Sequence, residues 1–197
     1  MYDKEEGPLL IKTHKMFSFG LLENKDPRTD EIQGYSMPFV TYEDEITEED
    51  ERFIEMIKSI TMLCRAHIKK NMLELTKAFG RKKIDTDSID ILKHRNDKPP
   101  TLFVKYGKTP LVIDTDFKKI RNKRLVKMDP LSILRKKCKI IGAFTIDNIY
   151  IASSIESIQT RLTEVLIVKE IKRASVFSDI DIEGNDSDEK DLSEEEW

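Results

Sequence analysis

With 197 residues, 36% of them charged, the chain has the length of one globular domain with appendages and carries more charge than the usual quarter. No stretch approaches the eighteen or so consecutive apolar residues of a membrane span, and the opening MYDKEEGP lacks a signal-peptide pattern, so an embedded or secreted protein is not expected. The formal charge of −3 conceals a division: residues 176–197 hold ten acids and one lysine, a net of −9, which leaves the preceding 175 residues at +6.

Residues 8–23, PLLIKTHKMFSFGLLE, set Phe17 and Phe19 on either side of Ser18, the period of two of a half-buried strand, with a bend predicted at Gly20. NKDPRTDEIQG is turn chemistry, and residues 35–42, YSMPFVTY, return as a second strand. Pro38 argues for an edge position there, because proline has no N–H to give a ladder. The two strands are expected to pair as one long hairpin.

Thr47 and Asp50 form a capping-box signature ahead of Phe53, Met56, Ile57, Ile60, Leu63, Cys64, His67 and Ile68, which fall at three- and four-residue steps. This predicts one long helix over about 48–79, stopped by Gly80. Residues 81–98 read as a polar connector with room for a helical turn near Ile89, closed by Pro99 and Pro100.

TLFVKY and LVIDTDF, separated by GKTP, read as a hairpin, and DPLSILRKK as a short helix or turn with Pro130 in its first turn. KIIGAFTI, IYIASSI and TRLTEVLIVKEI follow as strands, the first two joined by a tight turn at Asp147 and Asn148. Short strands without βαβ alternation favour a small closed barrel or a sandwich. From Phe177 onward the chain is too acidic and too poor in apolar residues to offset its ordering entropy, so a disordered tail ending in Trp197 is expected.

Cys64 and Cys138 stand far apart in apolar patterns and read as reduced core residues of a cytosolic or nuclear protein. His14, His67 and His94 have no metal spacing, and no phosphate-cradling or nucleophile-elbow motif occurs. Asp114 and Asp116 alternate on one strand face as in a metal-dependent nuclease, but lack a companion Glu or Lys motif. No cofactor, metal or enzymatic activity is expected.

The segment Phe117–Lys139 sets ten lysines and arginines (118, 119, 121, 123, 124, 127, 135, 136, 137, 139) against Asp129 alone, a net of +9. The plain reading of such a run is a solvated loop. Here it lies among strands carrying Phe103, Tyr106, Phe117, Phe144 and Tyr150 and is matched by a tail of opposite charge. Cationic side chains attract phosphates and rings stack bases, the combination that unpaired nucleic acid needs. The tail reads either as a solubility device or as a tethered polyanion competing for that surface.

The order of elements resembles the OB-fold single-stranded-DNA-binding proteins of T-seven-type phages and of nucleocytoplasmic large DNA viruses. The resemblance spans nearly the whole chain. It rests on PLLIKTHKMFSFGLLENKD with GYSMPF, the helix inserted between strands, KKCKIIGAFTIDNIYIASSIESIQTRLTEVLIVKE, and an acidic tail ending SEEEW. It implies a mainly β fold with one long inserted helix, an OB-fold-like closed barrel over residues 1–175 and a disordered acidic tail over 176–197.

It further implies sequence-nonspecific single-stranded DNA binding in viral DNA replication, recombination and repair. The DNA path would be lined by Lys105, Tyr106, Lys108, Lys118, Lys119, Arg121, Lys123, Arg124 and Lys127, with Phe144 and Tyr150 as stacking rings. The tail, through Asp186, Asp188, Glu189, Asp191, Glu194, Glu195, Glu196 and Trp197, would limit DNA access and contact a polymerase or a primase/helicase. Such a protein works at a replication site in the host cytoplasm or nucleus, and homo-oligomers are compatible with it. The rival expectation is a non-enzymatic virion or replication-complex adaptor whose basic face meets an acidic protein.

Overall fold

The computed structural model describes residues 8–80, 84–114, 126–127, 129–152 and 156–171, with backbone alone for 108–114 and 126–127. Within them the order is β1 (Leu10–Lys12), β2 (Met16–Ser18), β3 (Leu22–Lys25), β4 (Ile32–Val40), α1 (Glu48–Lys70), α2 (Met72–Ala78), β5 (Leu92–Arg95), β6 (Lys98–Asp114), β7 (Val126–Lys127), a 3₁₀ turn (Pro130–Ile133), β8 (Cys138–Ile151) and β9 (Glu156–Glu170).

Five strand lines close on themselves. β1 and β2 are two halves of one line, both antiparallel to β8. β2 meets β4, β4 lies antiparallel to β6, β6 runs parallel to β9, and β9 returns antiparallel to β8. The ring is irregular rather than a clean barrel: β2 and β4 share only the Phe17↔Val40 pair, and the β6–β9 register shifts between Tyr106 and Leu111. β3, β5 and β7 are short arms on β4 and β6.

Alternation along each strand sends Met37, Phe39, Leu102, Val104, Ile140 and Phe144 inward, where all are fully buried. Phe39 and Phe144 meet edge to face across the interior with ring centroids 6.4 Å apart. Gly142 makes room for this, since a Cβ there would stand 2.4 Å from the Phe39 ring. α1 adds Phe53, Ile54, Ile57 and Ile68 to the same core.

The predicted capping box is present: Thr47 Oγ1 accepts from Asp50 N–H, and Asp50 Oδ2 accepts from Thr47 N–H at 2.8 Å. Asp50 also ties the helix to the strands, because His14, at the break between β1 and β2, places Nε2 2.6 Å from Asp50 Oδ1. Burial alone would raise the Asp50 carboxyl; the Thr47 and His14 hydrogen bonds outweigh it and hold the group below its ordinary value.

Several expectations are corrected. The single helix is two, broken at Asn71, whose side-chain amide donates to His67 O at 2.8 Å and so competes for a ladder carbonyl. The buried stripe of α1 is Asp50, Phe53, Ile54, Ile57, Thr61 and Ile68, whereas the expected Leu63 is 71% exposed. The long first hairpin is instead β3–β4, with the earlier strand turned onto β8. GKTP makes no turn and lies inside the 17-residue β6. Asp147 and Asn148 mark a register shift inside β8, because the β8–β9 ladder continues past them to Ile151↔Glu156.

The connector is no connector. Ile84, Ile89 and Ile91 are buried in the core, and Leu92–Arg95 pairs with β6, whose first residues include Pro99 and Pro100. Pro38 sits inside the sheet on its β6 side, opposite Phe103, but on its other side it falls between the last β3 pair, at Ser36, and the β2 pair, at Val40. The missing donor therefore points into a gap between partners, which reconciles proline with a central strand. The Pro130 turn forms as expected, its first amide capped by Asp129.

The bend at Gly20 has a specific cause. Its φ is +76°, and a Cβ would lie 2.1 Å from Ile133 O. Gly20→Ala is expected to lower unfolding free energy by roughly 2–4 kcal/mol in urea titration. The depressed Asp50 carboxyl contributes stability above its ordinary value of 3.8, lost as pH falls through the lower folded value. Asp50→Asn is therefore expected to be less stable at neutral pH and to lose less stability on acidification below about pH 4, as read by thermal melts against pH.

Candidate nucleic-acid interface

Because Leu102 and Val104 fill the core, the residues between them and beyond, Thr101, Phe103 and Lys105, face outward along β6. Lys105 is in register with Arg161 on the neighbouring parallel strand, so two cations stand side by side. Gly107 lets the Arg161 stem lie across β6: the Arg161 Cδ would be 3.3 Å from a Cβ at that position. The guanidinium is held by Asp147 on β8.

Toward the start of β6 the same outer side opens into a groove of about 380 Å³. Phe17, Phe19 and Tyr42 supply its rings, Lys98 and Lys137 its cations, and Glu43 and Asp44 its rim. Phe17 and Phe19 pack edge to face at 4.9 Å, and Phe19 is 42% exposed. Thr101 lines the groove, so a strip of roughly 13 Å leads from it along Phe103 to Lys105 at the usual strand rise.

Much of the basic segment's C-terminal end is already engaged. Arg135 pairs with Glu23 at 2.6 Å, Lys136 with Glu170 at 3.8 Å, and Lys139 with Glu43. Burial, with Lys15 nearby, also lowers the Lys139 ammonium. Among the described residues Lys98, Lys105 and Lys137 have no carboxylate within 4 Å.

The predicted residues divide accordingly. Lys105 is exposed on the strip. Tyr106 faces the other way, half-buried, edge-on to Tyr35 at 6.4 Å, and burial followed by the Asp129 charge raises its hydroxyl. Tyr150 is 50% exposed near the end of β8. Phe144 is corrected: it is wholly enclosed against Phe39, so neither ring face is open to a base. The backbone of Lys108 lies in β6 and that of Lys127 in β7, paired with Ile113. Their side chains, and all of Lys118, Lys119, Arg121, Lys123, Arg124, Asp186, Asp188, Glu189, Asp191, Glu194, Glu195, Glu196 and Trp197, lie outside the described residues.

Sequence reasoning overlooked Arg161, Phe17, Phe19, Tyr42, Lys98 and Lys137 as site residues. The alternation of Phe17 and Phe19 was a usable signal, since residues two apart on a strand share a face. Arg161 gave none, because its place beside Lys105 depends on a parallel pairing between residues 56 apart in sequence. No cluster of metal-ligating side chains occurs among the described residues, and no described helix is long and apolar enough to cross a membrane.

The chain belongs to the family described as Protein of unknown function (DUF2738), which matches residues 1–196. No curated protein matches it. Among solved structures it is similar to the single-stranded DNA-binding protein from bacteriophage Enc34 in complex with ssDNA, at 14% identity and TM-score 0.47, covering 83% of this chain and 88% of that one. It is also similar to a single-stranded DNA binding protein encoded by bacteriophage T7, at 11% identity and TM-score 0.49, covering 93% of this chain and 100% of that one.

The contrast between the two predicted rings is testable. Phe144→Ala is expected to cost about 3–5 kcal/mol of stability, whereas Tyr150→Ala should stay within about 0.5 kcal/mol of the parent in urea titration.

Proposed function

We propose that this protein binds single-stranded DNA without reading its sequence, the strand lying along the outer side of β6 from the Phe17–Phe19 groove to Lys105 and Arg161. The observation that carries this reading is the coincidence, on one continuous strip, of the exposed Phe19 and half-buried Phe17 and Tyr42 rings with Lys98, Lys137 and Lys105, which no described carboxylate neutralises. Phosphates account for the cations, and unpaired bases for the rings, since a duplex hides the base faces that stack. β6 then runs on toward the +9 segment, so the chain's densest positive charge is sequence-adjacent to the strip.

The ring order supports the same reading. Taking β1 with β2 as the first line and β4, β6, β8 and β9 as the rest, the lines neighbour one another as first, second, third, fifth, fourth and first, with the third and fifth parallel. The same order of lines occurs in oligonucleotide-binding barrels, which take their ligand on the second and third lines, and this supports placing the strand along β4 and β6. On this reading the protein is non-enzymatic and serves viral DNA replication, recombination or repair within the host cytoplasm or nucleus.

The acidic tail then acts as a tethered competitor and as a hook for replication proteins. Ile171 N–H donates to Lys137 O at 2.8 Å, so Ile171, five residues before the tail in sequence, is fixed beside a residue that lines the groove. A segment of net −9 anchored there meets the cations at high effective concentration.

Fluorescence anisotropy with labelled oligo(dT) checks the proposal. Affinity should fall steeply with salt, and Lys105→Ala and Arg161→Ala should each weaken binding several-fold and reduce the log–log salt slope by about 0.7. Deleting residues 179–197 should tighten binding; weaker binding would rule out competition by the tail. Failure to bind oligo(dT), with retention of an acidic protein, would favour the adaptor reading.

A further inference from the structure

The outer side of β1, β8 and β9 carries a second surface that the DNA reading does not use. Leu10, Ile141, Ala143 and Leu166 line an apolar hollow of about 330 Å³ there. Leu10 is 57% exposed and its neighbour Leu9 61%, more apolar surface than isolated strand residues need to show.

The hollow is flanked by Lys12 and Glu164. They share one row across the sheet with Ala143 between them, since Lys12 pairs with Ala143 and Ala143 with Glu164. Two strand spacings, roughly 10 Å, keep them apart, and neither has an ion-pair partner among the described residues.

We propose that this face binds a second copy of the chain, about a two-fold axis that lies between the two sheets and runs along β8. Such a rotation exchanges the flanks of the hollow while leaving its midline in place. Ile141 and Ala143 then meet their own counterparts, and Lys12 of each copy faces Glu164 of the other, forming two equivalent pairs. An axis across the strands would set Lys12 against Lys12, so the charges select one orientation. Sheets packed this way stand about 10 Å apart with strands nearly aligned. The surface is thus self-complementary in charge about this axis, the feature that favours a second copy of the chain as its occupant.

Sedimentation of the full-length chain over a range of concentrations, at low salt, tests this. A monomer–dimer equilibrium is expected, with Lys12→Glu and Glu164→Lys each raising its Kd about tenfold, because each turns two attractions into repulsions. The double variant Lys12→Glu/Glu164→Lys should recover a Kd within about threefold of the parent, which also shows that the substitutions leave the fold intact. Ile141→Asp should give a monomer. A parent that stays monomeric at all concentrations overturns the proposal, as does a dimer indifferent to both single reversals or one that the double variant fails to restore.

Discussion

The register of β6 in the ring is the constraint on which the rest depends. This strand pairs with β4 on one side and β9 on the other, and each pairing fixes which of its residues face the core. A slip of one residue would bury Lys105 and expose Val104, at a cost no surface contact offsets. The cationic and aromatic strip is therefore a by-product of core packing: Leu102 and Val104 go in, so Thr101, Phe103 and Lys105 go out.

Charge distribution follows a similar logic. The body of the chain carries +6, and part of its basic surface is paired locally, as with Arg135 on Glu23 and Lys136 on Glu170. Those exposed pairs add little stability. Their larger effect is to neutralise cations near the 3₁₀ turn, while Lys98, Lys137 and Lys105 stay unpaired among the described residues around the groove and β6.

How much could be read from the sequence depended on the range of the physics involved. The capping box at Thr47, the bend at Gly20 and the Pro130 turn are local signals, and each appears in the structure. GKTP and Asp147-Asn148 carry turn residues but sit in strands that continue through them, because pairing with β9 extends past both positions. Ile84, Ile89 and Ile91 lie in a polar stretch whose burial is set by distant partners, and the buried stripe of α1 competes with an overlapping stripe through Met56 and Leu63 at equally regular spacing. For the site, Lys105 is legible in the sequence as a strand cation, whereas the enclosure of Phe144 depends on its distant contact with Phe39 and the place of Arg161 on the parallel pairing of β9 with β6.

The parallel join between β6 and β9 has a consequence for how the molecule comes into being. The ring's first line waits for Thr145 to pair with Leu10, and its closing strand ends at Glu170. A growing chain thus cannot seal its interior until β9 has left the ribosome, and loop closure over such separations is slow. Until then Met37, Phe39, Leu102 and Val104 have only part of their cover, so the nascent protein has more reason than its modest size suggests to rely on chaperones.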